Sequence, residues 1–252
     1  MQHPLFFKMK AGVFYSYFNS NLFVSKEKKV NRTTYLCSMQ DNFRHQGLRK
    51  KLISELSEKG ITDERILDAF FAVPRHFFLD LAFLEKAYTN IAFQIGAGQT
   101  ISHPYTVAFQ TQLLNLEKGE KVLEIGTGSG FQTCILCQMG VRVYTIERQK
   151  ELFIKSKEII KQFGFHPSQF YGDGYKGLES YQPFDKIIIT CGAPEIPQSL
   201  INQLKVGGIM VIPVGEGESQ LMKRIIKIAE NKIEIEDFGT FKFVPMLEKT
   251  VK

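Results

Sequence analysis

The stretch VLEIGTGSGF at residues 122–131 constrains this chain more than any other. Apolar residues with the character of a strand run straight into Gly126, Gly128 and Gly130, and residues 131–139 behind them read as a helix. Glycine at such a joint permits a tight turn and lets a ligand come close to the backbone. A strand–loop–helix unit is therefore built in, and the sequence goes on to repeat it. Residues 121–125, 141–146, 168–171, 184–190 and 209–214 read as strands, and 107–116 and 150–163 as helices. Residues 221–229 and 232–237 look like strands of a closing meander. Alternation of this kind implies an α/β domain with a mostly parallel sheet covered on both faces by helices.

The loop also narrows the ligand. Its spacing is G-x-G-x-G with Phe at 131, whereas the dinucleotide fingerprint places its third glycine one position later. A dinucleotide needs its pyrophosphate seated on the helix N-terminus. A loop preceded by an acid, Glu124, better suits a ligand without phosphates, and S-adenosylmethionine carries a positive amino group and sulfonium that an acid can serve. Glu147 ends the next strand, 21 residues after Gly126, where a carboxylate can accept from both hydroxyls of a ribose. Gly172-Asp173-Gly174 follows the third strand, and its acid can accept from an adenine amino group. Three acids at the ends of three successive strands carry more weight together than any one alone.

Composition excludes several classes. The chain has 252 residues, 44% apolar and 23% charged, enough for one α/β domain and a small extension. The net charge of +6 sits mostly in residues 1–38, where Lys8, Lys10, Lys26, Lys28, Lys29 and Arg32 face Glu27 alone. The remainder is near neutral, so bulk charge does not indicate a nucleic-acid surface. No apolar run is long enough to span a membrane. Of the four cysteines, Cys134 and Cys137 form a C-x-x-C inside a helix, with no second ligand pair at zinc spacing, and read as small apolar residues. Residues 1–38 are aromatic, rich in Asn and Ser, and without clear periodicity; we expect a disordered extension or a misplaced start, with the functional domain at 39–252. Within it, residues 42–90 form a helical subregion. Leu48, Leu52, Ile53 and Leu56 fall at helical spacing before Gly60, and Thr62 or Asp63 opens a second helix. VPRHFF (73–78) reads as packing, with Arg75 a candidate surface ligand.

These residues resemble a known family. AYTN (87–90), IGAGQTISHPYTVAFQ (95–110), the glycine loop, TIER (145–148), GDG (172–174), the run 184–215 and FVPML (243–247) are similar to protein-L-isoaspartate O-methyltransferases. The similarity runs from about residue 43 to 247, and the G-x-G-Q-T-I-S-x-P-Y segment is its most specific part. It implies a Rossmann-like class I methyltransferase fold, doubly wound, with a mostly parallel seven-stranded sheet and an antiparallel C-terminal strand. It implies S-adenosyl-L-methionine as methyl donor and the free α-carboxylate of isoaspartyl residues in aged proteins as acceptor. We further expect a monomer in the cytoplasm, the location read from the absence of targeting signals, with neither nucleic acid nor membrane as partner.

The similarity also assigns roles by position. Ser102 is the catalytic residue, hydrogen-bonding the substrate carboxylate; it is also suited to cap the following helix. Thr100 and Ile101 line the junction of substrate and cofactor, and Pro245 closes over the substrate. Glu124, Gly126, Thr127, Gly128, Ser129 and Gly130 hold the cofactor, with Glu147 and Arg148 at its ribose and Asp173 and Gly174 at its adenine. Three departures from the family pattern stand out: His103, which reads as a packing or surface residue, stands where bacterial members usually carry Gln, while Asn90 where Asp is usual and Ala92-Phe93-Gln94 where a Pro-rich run is usual bear on peptide preference. An alternative within the fold is a methyltransferase for a small molecule or an RNA base. The position of a base-stacking motif after the fourth strand reads Thr190-Cys-Gly-Ala193, which offers no ring. A binding domain without turnover would show a broken glycine loop or a lost Ser102. An NAD-dependent oxidoreductase would show a Tyr and Lys at i, i+4 after the fourth strand, and neither mark is present.

Overall fold

The computed structural model describes residues 40–251; the expectation for residues 1–38 lies outside them. Helix α1 (Phe43–Glu58) starts where the Asn42 side chain accepts the His45 amide at 2.9 Å. It stops at Gly60, whose φ of 94° lets its amide turn back onto the Ser57 carbonyl. Helix α2 (Glu64–Ala72) is capped by Asp63, which accepts the Arg65 amide, and it ends just before Pro74, as backbone sterics ahead of proline demand. The buried faces of both helices join one core cluster with Phe77 and Phe78. Phe78 meets Phe131 edge-on at 5.3 Å and stacks on Phe163 at 5.1 Å. The VPRHFF aromatics are therefore packing, and they tie the helical subregion to the residue just behind the glycine loop. Arg75 is not a surface ligand: it is 1% exposed, because the short helical turn Arg75–Phe78 is swallowed by that aromatic core.

The GQTISHPY segment is more ordered than a polar turn. Strand β1 (Phe93–Gly96) pairs antiparallel with β2 (Gln99–Ile101). Ala97 and Gly98 join them, both at positive φ (49° and 67°), as a two-residue hairpin with the sheet's own twist requires. Helix α3 (Pro104–Leu113) follows immediately, with Pro at its first position, where the missing N–H is no loss. It starts three residues before the expected 107.

The main sheet contains β3 (Lys121–Ile125), β4 (Arg142–Glu147), β5 (Ser168–Tyr171), β6 (Phe184–Ile189), β7 (Leu204–Val214), β8 (Gln220–Ala229) and β9 (Lys232–Phe241), in the order β5-β4-β3-β6-β7-β8-β9. The first five run parallel. β8 is antiparallel to β7, and β9 to β8, so the single reversed strand is the penultimate one and the last returns to the common direction. Helices α4 (Phe131–Gln138), α5 (Lys150–Gln162) and α6 (Gln198–Gln203) connect the parallel strands. The central strands are buried on both faces: Val122, Leu123, Ile187, Ile188 and Ile189 are all inaccessible, which is why both strands are mostly apolar. Among the described residues, no helix is long and apolar enough to cross a membrane.

Candidate active site

The carboxyl ends of β3, β4 and β6 meet at the point where the strand order reverses, the place where open α/β sheets bind ligands. A cleft opens there. It is lined by Gly126–Ser129 of the loop, by Glu147 and Arg148 at the end of β4, and by Gln99–Ser102 from β2 and the residue after it.

The glycine loop is held by backbone bonds. The Gly126 and Thr127 amides both donate to the Ile146 carbonyl, at 2.9 and 3.2 Å. The Thr190 hydroxyl donates to the Gly126 carbonyl at 2.7 Å. Gly126 has a φ of 94°, and a Cβ there would sit 2.6 Å from the Thr190 hydroxyl. Gly130 opens α4 at φ 85°, where a Cβ would meet Ile160 at 2.9 Å. Thr127 is anchored by a 2.6 Å hydroxyl contact with Thr145, and the Ser129 hydroxyl accepts from the Phe131 amide. The loop thus presents bare backbone to the cleft, fixed from behind.

Glu147 is 4% exposed and lies in this cleft. One carboxylate oxygen accepts from the Gly128 amide and the other from the Gln149 amide, both at 2.8 Å. Burial raises its pKa, and those amides pull it partly back. Each oxygen keeps a lone pair for a further donor, as a vicinal diol would supply. Arg148 also lines the cleft, but its guanidinium donates to the Lys249 and Glu248 carbonyls at 2.8 and 3.2 Å. Gly174 lines the cleft, and a Cβ on it would stand 2.4 Å from Ile125 and 3.5 Å from Met246. Asp173 turns away: it accepts from the Tyr175 amide at 3.0 Å and the Lys249 amide at 2.9 Å. Arg148 and Asp173 together clasp the C-terminal strap, which carries Pro245 and the buried Met246 across the cleft. Bare glycine backbone and a buried diol acceptor fit a bound S-adenosyl group.

Glu124 departs from its expected place. It is fully buried, and one carboxylate oxygen accepts from the Thr133 hydroxyl at 2.5 Å, while the other has no partner among the described residues. Side chains alternate along a strand, and Ile125 faces the cleft, so Glu124 points beneath α4. Burial pushes its pKa up to about 8. It lies against the back of the loop and is not among the residues that line the cleft.

Thr100, Ile101 and Ser102 all line the cleft. Among the described residues the Ser102 hydroxyl makes no hydrogen bond, and it is not the helix cap. The capping position is His103, whose side chain makes no cap bond; the Tyr105 amide is instead satisfied by Asn90, at 2.9 Å. His103 is kept below the usual imidazole range, first by burial and then by the nearby Arg75. Sequence reasoning missed Gln110, which also reaches the cleft while donating to the Ile189 carbonyl at 2.9 Å; it follows Val107 at helical spacing, which was the available signal. It missed Cys191 as well, a cleft residue whose thiol burial pushes up to about 12.

With this geometry the comparisons can be read. Residues 47–251 match the family model described as protein-L-isoaspartate(D-aspartate) O-methyltransferase. The chain belongs to that family. The Flavobacterium psychrophilum protein-L-isoaspartate O-methyltransferase is 56% identical over 211 residues, covering 83% of this chain and 99% of that one. The Cytophaga hutchinsonii protein of the same name is also 56% identical, covering 84% and 96%. Among solved structures, a Plasmodium falciparum chain described as a protein-L-isoaspartate O-methyltransferase, crystallised with S-adenosyl-L-homocysteine, superimposes with a TM-score of 0.69 at 26% identity and covers 79% of this chain and 98% of that one.

Proposed function

We propose that this chain methylates the free α-carboxylate of L-isoaspartyl residues in damaged proteins, with S-adenosyl-L-methionine as donor. The observation that carries the reading is the shared cleft: Thr100–Ser102 line one opening together with the glycine loop and Glu147. Family membership sets the reaction class, and the cleft supplies the roles.

The donor, when bound, supplies an electrophilic methyl group whose carbon–sulfur bond breaks, its electron pair passing to sulfur, as the new carbon–oxygen bond forms. The loop 126–130 offers backbone to it, Glu147 accepts from its diol, and Gly174 lines the cleft as bare backbone, since a Cβ there would run into Ile125. The nucleophile needs no base. A carboxyl with an ordinary pKa near 3.9 is already ionised at neutral pH, and the cleft is arranged accordingly. Its thiol is neutral, and its one buried acid is occupied by backbone amides. What remains is alignment, which can lower a barrier by up to roughly 7–11 kcal/mol. The Ser102 hydroxyl donates to one carboxylate oxygen and leaves the other free to attack. Ile101 and Met246, both buried, keep water off the reacting atoms. The methyl ester then closes spontaneously to a succinimide, which hydrolyses partly to normal aspartate.

A base-methylating enzyme of the same fold is disfavoured, because Thr190, just after β6, spends its hydroxyl on the Ile125 and Gly126 carbonyls and the segment Thr190-Cys191-Gly192-Ala193 contains no aromatic residue. On this reading the chain works as a soluble cytoplasmic monomer, which light scattering after gel filtration tests. The activity is tested by transfer of labelled methyl to an isoaspartyl peptide, with the aspartyl peptide as control. Label on both peptides, or on neither, overturns the assignment.

A further inference from the structure

Arg75 is 1% exposed, yet its Nε and Nη1 have no hydrogen-bond partner among the described residues, and no carboxylate there forms an ion pair with it. Its Nη2 donates to the Ile91 carbonyl at 3.1 Å, and its guanidinium carbon lies 5.2 Å over the Phe131 ring. Burial pulls its pKa down to about 9, so it stays charged at neutral pH. A buried charge without a countercharge is strongly destabilising. The position of this one suggests what compensates it. Phe131 is itself part of the cleft wall. The charge is felt at His103, next to Ser102. Ile91 follows Asn90, which holds the start of α3. The cation therefore stands behind the wall on the side of Ser102.

From this placement, and resting on the function proposed above, we infer that Arg75 is a positioning residue that draws the substrate's carboxylate to Ser102, acting through the cleft wall without touching it. An entering carboxylate loses water, and a cation behind the wall offsets that loss. A cation in direct contact would occupy the lone pair that must attack; one behind Phe131 does not. Methylation turns the anion into a neutral ester. Arg75 therefore favours the bound anion more than the transition state or the product, and its loss should raise the peptide KM and raise kcat modestly.

Arg75→Gln keeps a donor for the Ile91 carbonyl and removes the charge; Arg75→Lys restores it. Binding of an isoaspartyl peptide and of its α-carboxamide analogue is measured by calorimetry with S-adenosylhomocysteine present, alongside steady-state kinetics and thermal midpoints. The wild type should prefer the anion. In Arg75→Gln that preference should fall about tenfold, with carboxamide and cofactor affinity unchanged, and Arg75→Lys should recover most of it. Equal weakening of both peptides, or a fall in kcat at constant KM, marks a scaffold residue and overturns the inference. Should Gln not fold, equal binding of the two peptides by the wild type overturns it without any variant. Failure of the wild type to methylate isoaspartyl peptide overturns the function itself, whereas methylation with an unchanged anion preference in Arg75→Gln overturns the role of Arg75 alone.

Discussion

Glu124 makes the stability of this fold depend on pH in a way that can be calculated. Its native pKa of about 8 stands against an ordinary value of 4.5, because the side chain is fully buried and the Thr133 hydroxyl offsets only part of the desolvation. A raised native pKa means that the folded state holds the proton more tightly than the unfolded one. The associated stability is fully present below pH 4.5 and is lost as pH rises through 8. At 1.36 kcal/mol per pH unit, the gap of about 3.5 units between the two values amounts to about 5 kcal/mol as an upper bound, since water entering around the ionised group reduces it. Between pH 6 and pH 8 the same linkage predicts a loss of about 2 kcal/mol from this acid alone. Glu124→Gln has the same shape, still accepts from Thr133 and does not titrate. Urea denaturation of both proteins at pH 6 and pH 8 isolates the effect, because other titrating groups act on each alike. The wild type should lose about 2 kcal/mol more than the variant over that interval. An equal loss in the two proteins would refute the claim that Glu124 is held as a neutral acid beneath α4.

The cleft gives further tests. Ser102→Ala removes the hydroxyl proposed to hold the substrate carboxylate, so kcat should fall about a hundredfold while S-adenosylmethionine binding by calorimetry stays within error of wild type; an unchanged kcat contradicts the role. Asn90→Ala strips the cap from the Tyr105 amide and should lower stability by about 1 kcal/mol in denaturant unfolding, whereas Asn90→Asp, which keeps the acceptor, should lose little. Gly174→Ala pushes a methyl toward Ile125, 2.4 Å away, and Met246. It should lower stability by about 1–3 kcal/mol and weaken cofactor binding, and a variant with wild-type affinity would show that this face does not meet the ligand.

What could be read in advance divides along a physical line. β3 and β6 were legible because strands buried on both faces are mostly apolar, and the glycine loop was legible because its backbone conformation excludes other residues. The hairpin at 93–101 was not, since strands of four and three residues are too short to display alternation. The turn that joins them carries Ala97 at positive φ, where glycine or asparagine would have announced it. Nor could the partners of Arg148 and Asp173 be foreseen: their bonds to Lys249 span 101 and 76 residues, and no local pattern encodes which backbone will arrive there. Arg75 is the same case in reverse, a charge whose burial depends on rings contributed by Phe131 and its neighbours. Glu124 is different, because the information was present. A residue that ends a strand and opens onto a ligand-binding loop must face the ligand side, and Ile125 is that residue. Its predecessor must then face the other way. The period-two rule applied to those two positions places the acid under the helix, and burial there raises its pKa. Proximity to a motif in sequence shows which backbone a ligand meets, but strand parity decides which side chains it meets.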